Sequence, residues 1–255
     1  MIDDKTIEQN RYNRKSESEL IRLSEIVSQN GAESMVEYLR TPYFNYEKLI
    51  KNEVQPHFKI LDMCCGNGVH SLIIPSMGIP IISTDIAEKS LIVAKERATA
   101  NKLGSLLTFI QADAASQPFE DNSFDLITCA GSLSYFDKQE IVSEVLRLLK
   151  PGGKFIAVDS FNHNPIYRLN RYIHYLRGKR TWSTLQNMPS METISFLKTK
   201  FENVSVEYFG IFSFLAKPIA LIFGVKNAKK VIDYLDSKLY LLRKYSFKIT
   251  IFAAK

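Results

Sequence analysis

Between Lys59 and Asp159 the chain alternates short apolar runs with stretches of helical period. The runs Lys59–Met63, Ile79–Thr84, Leu106–Ala112, Phe124–Ala130 and Lys154–Asp159 are apolar throughout, not alternating. That pattern belongs to strands covered on both faces. Val69–Met77, Ala87–Leu103 and Lys138–Leu149 read as the helices between them, and Lys150-Pro-Gly-Gly153 as a turn. Alternation of this kind builds right-handed βαβ units and a parallel sheet with helices on both sides. Further on, Glu192–Phe201 reads as a helix and Val204–Tyr208 as a strand. Helical stretches near Phe212–Phe223 and Ala228–Lys244 follow, and the alternating Phe247–Ala253 suits an edge or antiparallel strand. Upstream, Leu20, Leu23, Ile26 and Val27 fall on one face of a helix starting at Ser16. Ser34 caps a second helix to Tyr38, and Tyr46–Asn52 forms a third. Residues 1–15 are polar and are expected to be mobile.

Chemistry concentrates where these strands end. Gly66 and Gly68 lie between the first strand and the next helix, where a backbone without Cβ lets a ligand approach the helix N-terminus. Asp62 closes the first strand, Asp85 the second, and Asp113 follows the third. An acid placed like Asp85 can accept both ribose hydroxyls, and one placed like Asp113 an exocyclic amine. Read singly, each acid is also an adequate helix cap and the glycine pair a tight turn. Three acids on one sheet edge are more specific, because open α/β sheets bind ligands there.

Five blocks in order then resemble the class I S-adenosylmethionine-dependent methyltransferases. They are Ile60-Leu-Asp-Met-Cys-Cys-Gly-Asn-Gly68, Thr84-Asp-Ile86, Gln111-Ala-Asp113, Pro118–Ile127 and Leu148-Leu-Lys-Pro-Gly-Gly-Lys-Phe155. The resemblance covers residues 55–160. It implies an α/β, Rossmann-like seven-stranded sheet, with an N-terminal helical lid over residues 1–54. The cofactor-binding domain then spans 55–255, with additions at 161–200 and 209–245. The cofactor implied is S-adenosyl-L-methionine. Asp62, Cys64, Gly66 and Gly68 would flank its methionine part, Asp85 and Ile86 its ribose, and Asp113 and Ala114 its adenine. Cys129 and Ala130 would line the site from the fourth strand. Cys64 departs from the family pattern, which usually has a small residue, often glycine, at that place. A nicotinamide fingerprint competes for the glycine turn, but it needs a third glycine near Ser71.

Methyl transfer needs alignment and exclusion of water, and a base only for a hydroxyl acceptor. Candidate bases after the fourth and fifth strands are His163 first, then His174 and Tyr135. His70 lies near the glycine turn but begins the next helix, which favours a packing or capping role. Ile166–Arg180 carries Arg168, Arg171, Arg177, Lys179 and Arg180 and no acid, with Tyr167, Tyr172 and Tyr175 interleaved. Tyr167, Arg168, Arg171 and Arg177 are therefore candidate acceptor-binding residues, suited to phosphate and to a sugar or base face. The same stretch also reads as a solvated basic helix.

Composition narrows the partners. The 255 residues are 45% hydrophobic and 24% charged, which excludes a disordered chain, and the net charge of +6 favours acidic partners. No nucleic acid is expected, since no RNA-binding motif accompanies the basic stretch. Three cysteines make no disulfide framework, and no metal site is expected. The polar start carries no signal-peptide pattern, so the expected location is the cytoplasm. The apolar insertion at 209–245 reads as a layer closing the acceptor site or forming a homodimer, or as an interfacial helix in peripheral contact with membrane. The expected reaction is O-methylation of a sugar, nucleotide sugar or glycan. A lipid or prenylated quinol acceptor is the alternative, as is a non-catalytic subunit that binds the cofactor.

Overall fold

The computed structural model describes residues 3–255 and contains one seven-stranded sheet. Its elements in chain order are α1 (Asp4–Ile21), α2 (Leu23–Ile26), α3 (Thr41–Glu53), β1 (Ile60–Met63), β2 (Ile81–Asp85), α4 (Glu88–Ala100), β3 (Leu107–Gln111) and β4 (Phe124–Ala130). Then come α5 (Lys138–Leu148), β5 (Leu149–Ser160), α6 (Pro165–Leu176), α7 (Trp182–Gln186), α8 (Met191–Lys200), β6 (Asn203–Phe209), α9 (Ala216–Phe223), α10 (Val225–Lys238) and β7 (Lys248–Ala254). The strand order is β3-β2-β1-β4-β5-β7-β6. Strands β1 to β5 pair in parallel, and β7 runs antiparallel to both β5 and β6.

The uninterrupted apolar runs follow from burial on both faces. Leu61, Met63, Ile127, Cys129, Phe155 and Ala157 point into one core with Val145 and Leu148 of α5 and Leu197 of α8. Their chain neighbours Ile60, Leu126, Ile156 and Val158 point into the other, with Tyr46 and Ile50 of α3 and Ala98 of α4.

Four stretches differ from expectation. Lys150–Gly153, expected as a turn, lies within β5, where the pairing with β4 shifts register between Leu149 and Lys154. Residues 4–15, expected to be mobile, are helical. Asp3 caps α1 by accepting the Thr6 N–H, and the helix docks on α4 through polar contacts such as Ser16 Oγ to Ser90 Oγ at 2.9 Å. A face buried through hydroxyls and carboxylates leaves no apolar periodicity to read. The stretch from Ser34 to Tyr38 forms two short 3-10 turns, Gly31–Ser34 and Glu37–Leu39, instead of a helix. Val69–Met77 is a series of turns ending in a 3-10 turn at Pro75–Met77. Pro75 brings no N–H to a helical ladder, and Ser71 turns its hydroxyl onto Asp62. No helix N-terminus therefore stands behind Gly68. The insertion before β7 is helical as expected. Thr41 Oγ1 donates to Asp233 of α10 at 2.9 Å, tying it to the start of α3.

Candidate functional site

A cavity of about 280 Å3 opens at the carboxyl ends of β1, β2 and β4. Asp62, Cys64 and Gly66 line it from β1, Asp85 from β2, and Ala130, Gly131 and Ser132 from β4. Tyr12, Lys15, Ser16 and Glu19 of α1 roof it, and Met35, Tyr43 and His70 close one side. The turn leaving β1 is tight. Gly66 and Gly68 have φ of +54° and +76°, and a Cβ on Gly68 would stand 2.9 Å from the Cβ of Ala94. Cys64 is held at φ +58°, a left-handed conformation that costs a side-chain-bearing residue about 1 kcal/mol. Its side chain packs into the core beside Cys129, which is itself fully buried and stands behind the cavity wall.

Two carboxylates shape the floor. Asp85 accepts the Gly66 N–H at 2.8 Å and the Ala87 N–H at 2.9 Å, so it fastens the glycine turn to β2. Each oxygen keeps a further acceptor site. Burial raises its pKa, against the pull of those N–H bonds. Asp62 is 4% exposed and accepts from Ser71 Oγ at 2.6 Å and Thr128 Oγ1 at 3.0 Å. Burial pushes its pKa up to about 6, and among the described residues it has no ion-pair partner. A buried carboxylate with hydroxyl partners and no cation suits a cationic ligand group.

The far end of the groove is covered. Asp113 accepts the Ala115 N–H at 3.0 Å and pairs with Lys5. Gln9 Nε2 donates to the Ile86 carbonyl at 2.8 Å, as does Gln111 Nε2 at 3.0 Å. Ala114 is buried in the core. Asp113 and Ile86 thus lie beneath the N-terminal half of α1 and Ala114 in the core, all three outside the open cavity.

Of the expected bases, only Tyr135 lines the cavity. Its hydroxyl lies 2.6 Å from that of Tyr12 and accepts from Arg180 at 2.7 Å and Arg11 at 3.1 Å. Burial holds its pKa well above the ordinary phenol value, so it stays protonated at neutral pH. His163 is seated elsewhere, with Nε2 accepting the Met191 N–H of α8 at 3.0 Å. His174 sits on α6 among Arg171, Arg177, Lys179 and Arg180, whose charges add to desolvation in lowering its pKa. Neither lines the cavity.

His70, which the sequence suggested for packing or capping, does line it. Its ring stacks on Tyr43 at 5.0 Å and meets Tyr46 edge-on at 6.0 Å. Desolvation first, then Lys248 and Arg97, push its pKa down to about 4. Its Nδ1 is enclosed without a hydrogen-bond partner among the described residues. Arg97 also escaped the sequence reading. It is 1% exposed and donates to the carbonyls of Asn67, Ile26 and Gln29, holding the β1 turn to the segment after α2.

A second, open groove of about 630 Å3 runs between α6 and α7. It is lined by Arg168, Arg171, Leu169, Tyr172, Trp182 and Met188. Arg171 donates to Tyr167 Oη at 2.6 Å and to Ser160 Oγ at 3.2 Å, which links the groove to the tip of β5. Next to Ser160, Asp159 accepts the Leu133 N–H at 2.6 Å in the loop after β4. Arg177 caps the end of α6, exposed and outside the groove.

A family model described as a methyltransferase domain matches residues 61–157. Demethylmenaquinone methyltransferase of Bacillus cereus (strain B4264) is 27% identical over 214 residues, covering 77% of this chain and 90% of that one. Phosphoethanolamine N-methyltransferase 2 of Haemonchus contortus, solved with S-adenosyl-L-methionine, aligns with a TM-score of 0.59 at 22% identity, over 83% of this chain and 52% of that one. Geranyl diphosphate C-methyltransferase from Streptomyces coelicolor A3(2) aligns at 0.55 and 14% identity, over 83% and 78%. Residues 61–157 therefore carry a methyltransferase domain.

The Haemonchus contortus structure is a complex with S-adenosyl-L-methionine. The cavity fits that molecule chemically. Asp62 and Asp85 offer negative charge and free acceptor sites to a ligand that carries an ammonium, a sulfonium and two ribose hydroxyls.

Proposed function

We propose that this methyltransferase transfers the methyl group to an amphipathic small molecule, with a prenylated quinol or related isoprenoid lipid as acceptor. The groove between α6 and α7 carries the reading. Arg168 and Arg171 make one part of its wall cationic, while Leu169, Tyr172, Trp182 and Met188 make the rest apolar. A molecule with a polar or anionic head and an apolar body satisfies both parts, whereas a wholly polar sugar leaves the apolar part uncovered. The Bacillus cereus relative named for a demethylmenaquinone substrate supports the quinol, and the geranyl diphosphate enzyme also pairs an anionic head with an isoprenoid body. A nucleotide sugar is the second reading, favoured by the two guanidinium groups beside Tyr172 and Trp182.

In this reading Asp62 pairs with the methionine ammonium and Asp85 accepts from the ribose hydroxyls. Asp113 takes the adenine amine once Lys5 moves aside, and α1 acts as the lid that keeps water out. The cofactor supplies an activated methyl on its sulfonium. For a hydroxyl acceptor we assign the proton to His70, because its ring lines the cavity in the neutral form and its enclosed Nδ1 has no hydrogen-bond partner among the described residues. Label transfer from methyl-tritiated cofactor tests the assignment, with a prenylated quinol and a panel of nucleotide sugars as acceptors. Label in the organic phase is expected, with KM raised in Arg168→Ala and Arg171→Ala. Label on a sugar alone overturns the lipid acceptor. Tight cofactor binding without label on either class would mark the domain as a binding module.

A further inference from the structure

The insertion between β6 and β7 carries a charge and an apolar tip that the methyl-transfer site does not use. Residues 209–245 hold seven of the chain's basic residues (Lys217, Lys226, Lys229, Lys230, Lys238, Arg243 and Lys244) and two acids, Asp233 and Asp236. That leaves five of the chain's net +6 charges in this one segment. Both acids are already engaged. Asp233 pairs with Lys229 and accepts from Thr41, and Asp236 accepts the N–H groups of Gly210 and Ile211. Lys226 and Lys230 have no ion-pair partner among the described residues, and no acid stands in the first turn of α10. Lys226 in that turn runs against the helix macrodipole, so the fold's own electrostatics do not account for it, whereas an external anionic surface does.

The tip joining α9 to α10 is apolar and uncovered. Leu221, Ile222 and Phe223 are 80%, 73% and 63% exposed, and Val225 beyond Gly224 is 41% exposed. Three consecutive large apolar side chains in water are costly, and here they directly precede the unpaired lysines. No described helix is long and apolar enough to cross a membrane. The segment matches an element that enters the headgroup layer from one side. It is also anchored near the cofactor cavity: α10 packs on Glu37–Leu39 and holds Thr41, between Met35 and Tyr43 of the cavity wall.

We infer that the α9–α10 tip docks this methyltransferase on an anionic lipid surface, with Leu221, Ile222 and Phe223 entering the headgroup layer and Lys226 and Lys230 against lipid phosphates. The inference is independent of the acceptor, because docking places the enzyme at a surface whatever molecule it methylates. The test is co-sedimentation of the full chain with vesicles of phosphatidylcholine alone and of phosphatidylcholine containing roughly one-third phosphatidylglycerol. Two variants accompany it, Leu221→Glu with Phe223→Glu, and Lys226→Glu with Lys230→Glu. All of these residues are exposed, and cofactor binding in each variant reports an intact fold. The expected result is pelleting with the anionic vesicles only, weakened at least about tenfold in both variants with cofactor affinity unchanged. Three results overturn the inference. One is no pelleting on anionic vesicles, or equal pelleting on neutral ones. Another is pelleting that neither variant weakens. The third is a wild-type dimer by light scattering that Leu221→Glu with Phe223→Glu converts to monomer, which would show a second copy covering the tip.

Discussion

Replacing Asp62 by Asn separates the cost of a buried charge from its use. Asp62 is 4% exposed and its pKa is raised from 3.8 to about 6 by burial. An acid raised in the folded state contributes stability that is fully present below its unfolded pKa and lost as pH rises through the folded one. Asp62 therefore favours folding at pH 4 and opposes it above pH 6, by about 3 kcal/mol at neutral pH for a shift of this size. Between pH 7.5 and pH 5 the wild type recovers roughly 1 kcal/mol through Asp62 alone. His70 works the other way, since a histidine lowered to about 4 loses stability as pH falls below 6.5. It is present in both proteins, so it cancels in their difference. Urea unfolding at the two pH values should show Asp62→Asn more stable than wild type at pH 7.5, with that advantage smaller by roughly 1 kcal/mol at pH 5. The ligand adds a second arm. Where the methionine ammonium pairs with ionised Asp62, wild-type affinity for S-adenosylmethionine should rise about tenfold from pH 5 to 7.5. The variant should bind more weakly and without that slope. A variant less stable than wild type at pH 7.5, or a pH slope shared by both proteins, would refute the buried, unpaired carboxylate.

Gly68→Ala should cost at least about 2 kcal/mol in urea unfolding, because the added Cβ would meet Ala94 at 2.9 Å in a left-handed backbone. Cys64→Gly should be more stable than Cys64→Ala in the same assay, the reverse of the usual order, because only glycine relieves φ +58°. Lys5→Ala should change stability by no more than about 1 kcal/mol, since the Lys5–Asp113 pair is solvent-accessible. The same change should tighten cofactor binding in calorimetry by freeing the Asp113 carboxylate. Arg97→Met should cost about 3 kcal/mol, leaving the carbonyls of Asn67, Ile26 and Gln29 buried without a donor, and should weaken cofactor binding by loosening the β1 turn.

What could be read in advance follows the division between periodic and singular contacts. The strands were legible because each is buried on both faces, and a short continuous apolar run between turn residues suits a doubly covered strand better than a surface helix or a loop. Asp62 and Asp85 were legible because a strand end fixes where its last side chains project, and the structure does bring both to one cavity with Gly66. α1 was not legible, since its buried positions include Glu8 and Ser16, which answer to the particular hydroxyls of Thr181 and Ser90 elsewhere in the chain. His163 misled for a related reason. A loop at the end of β5 faces the ligand edge as a whole, yet a single side chain obeys its nearest donor, here the N–H of Met191 at the start of α8. His70 is the converse case. Its neutrality and free nitrogen arise from Tyr43, Tyr46, Lys248 and Arg97, which approach from α3, β7 and α4 and share no spacing with it in the sequence. Pattern thus located the edge of the sheet at which the cavity opens. The setting of His70 depended on burial against Tyr43 and Tyr46 of α3 and on the charges of Lys248 and Arg97, neighbours that meet only in the folded chain.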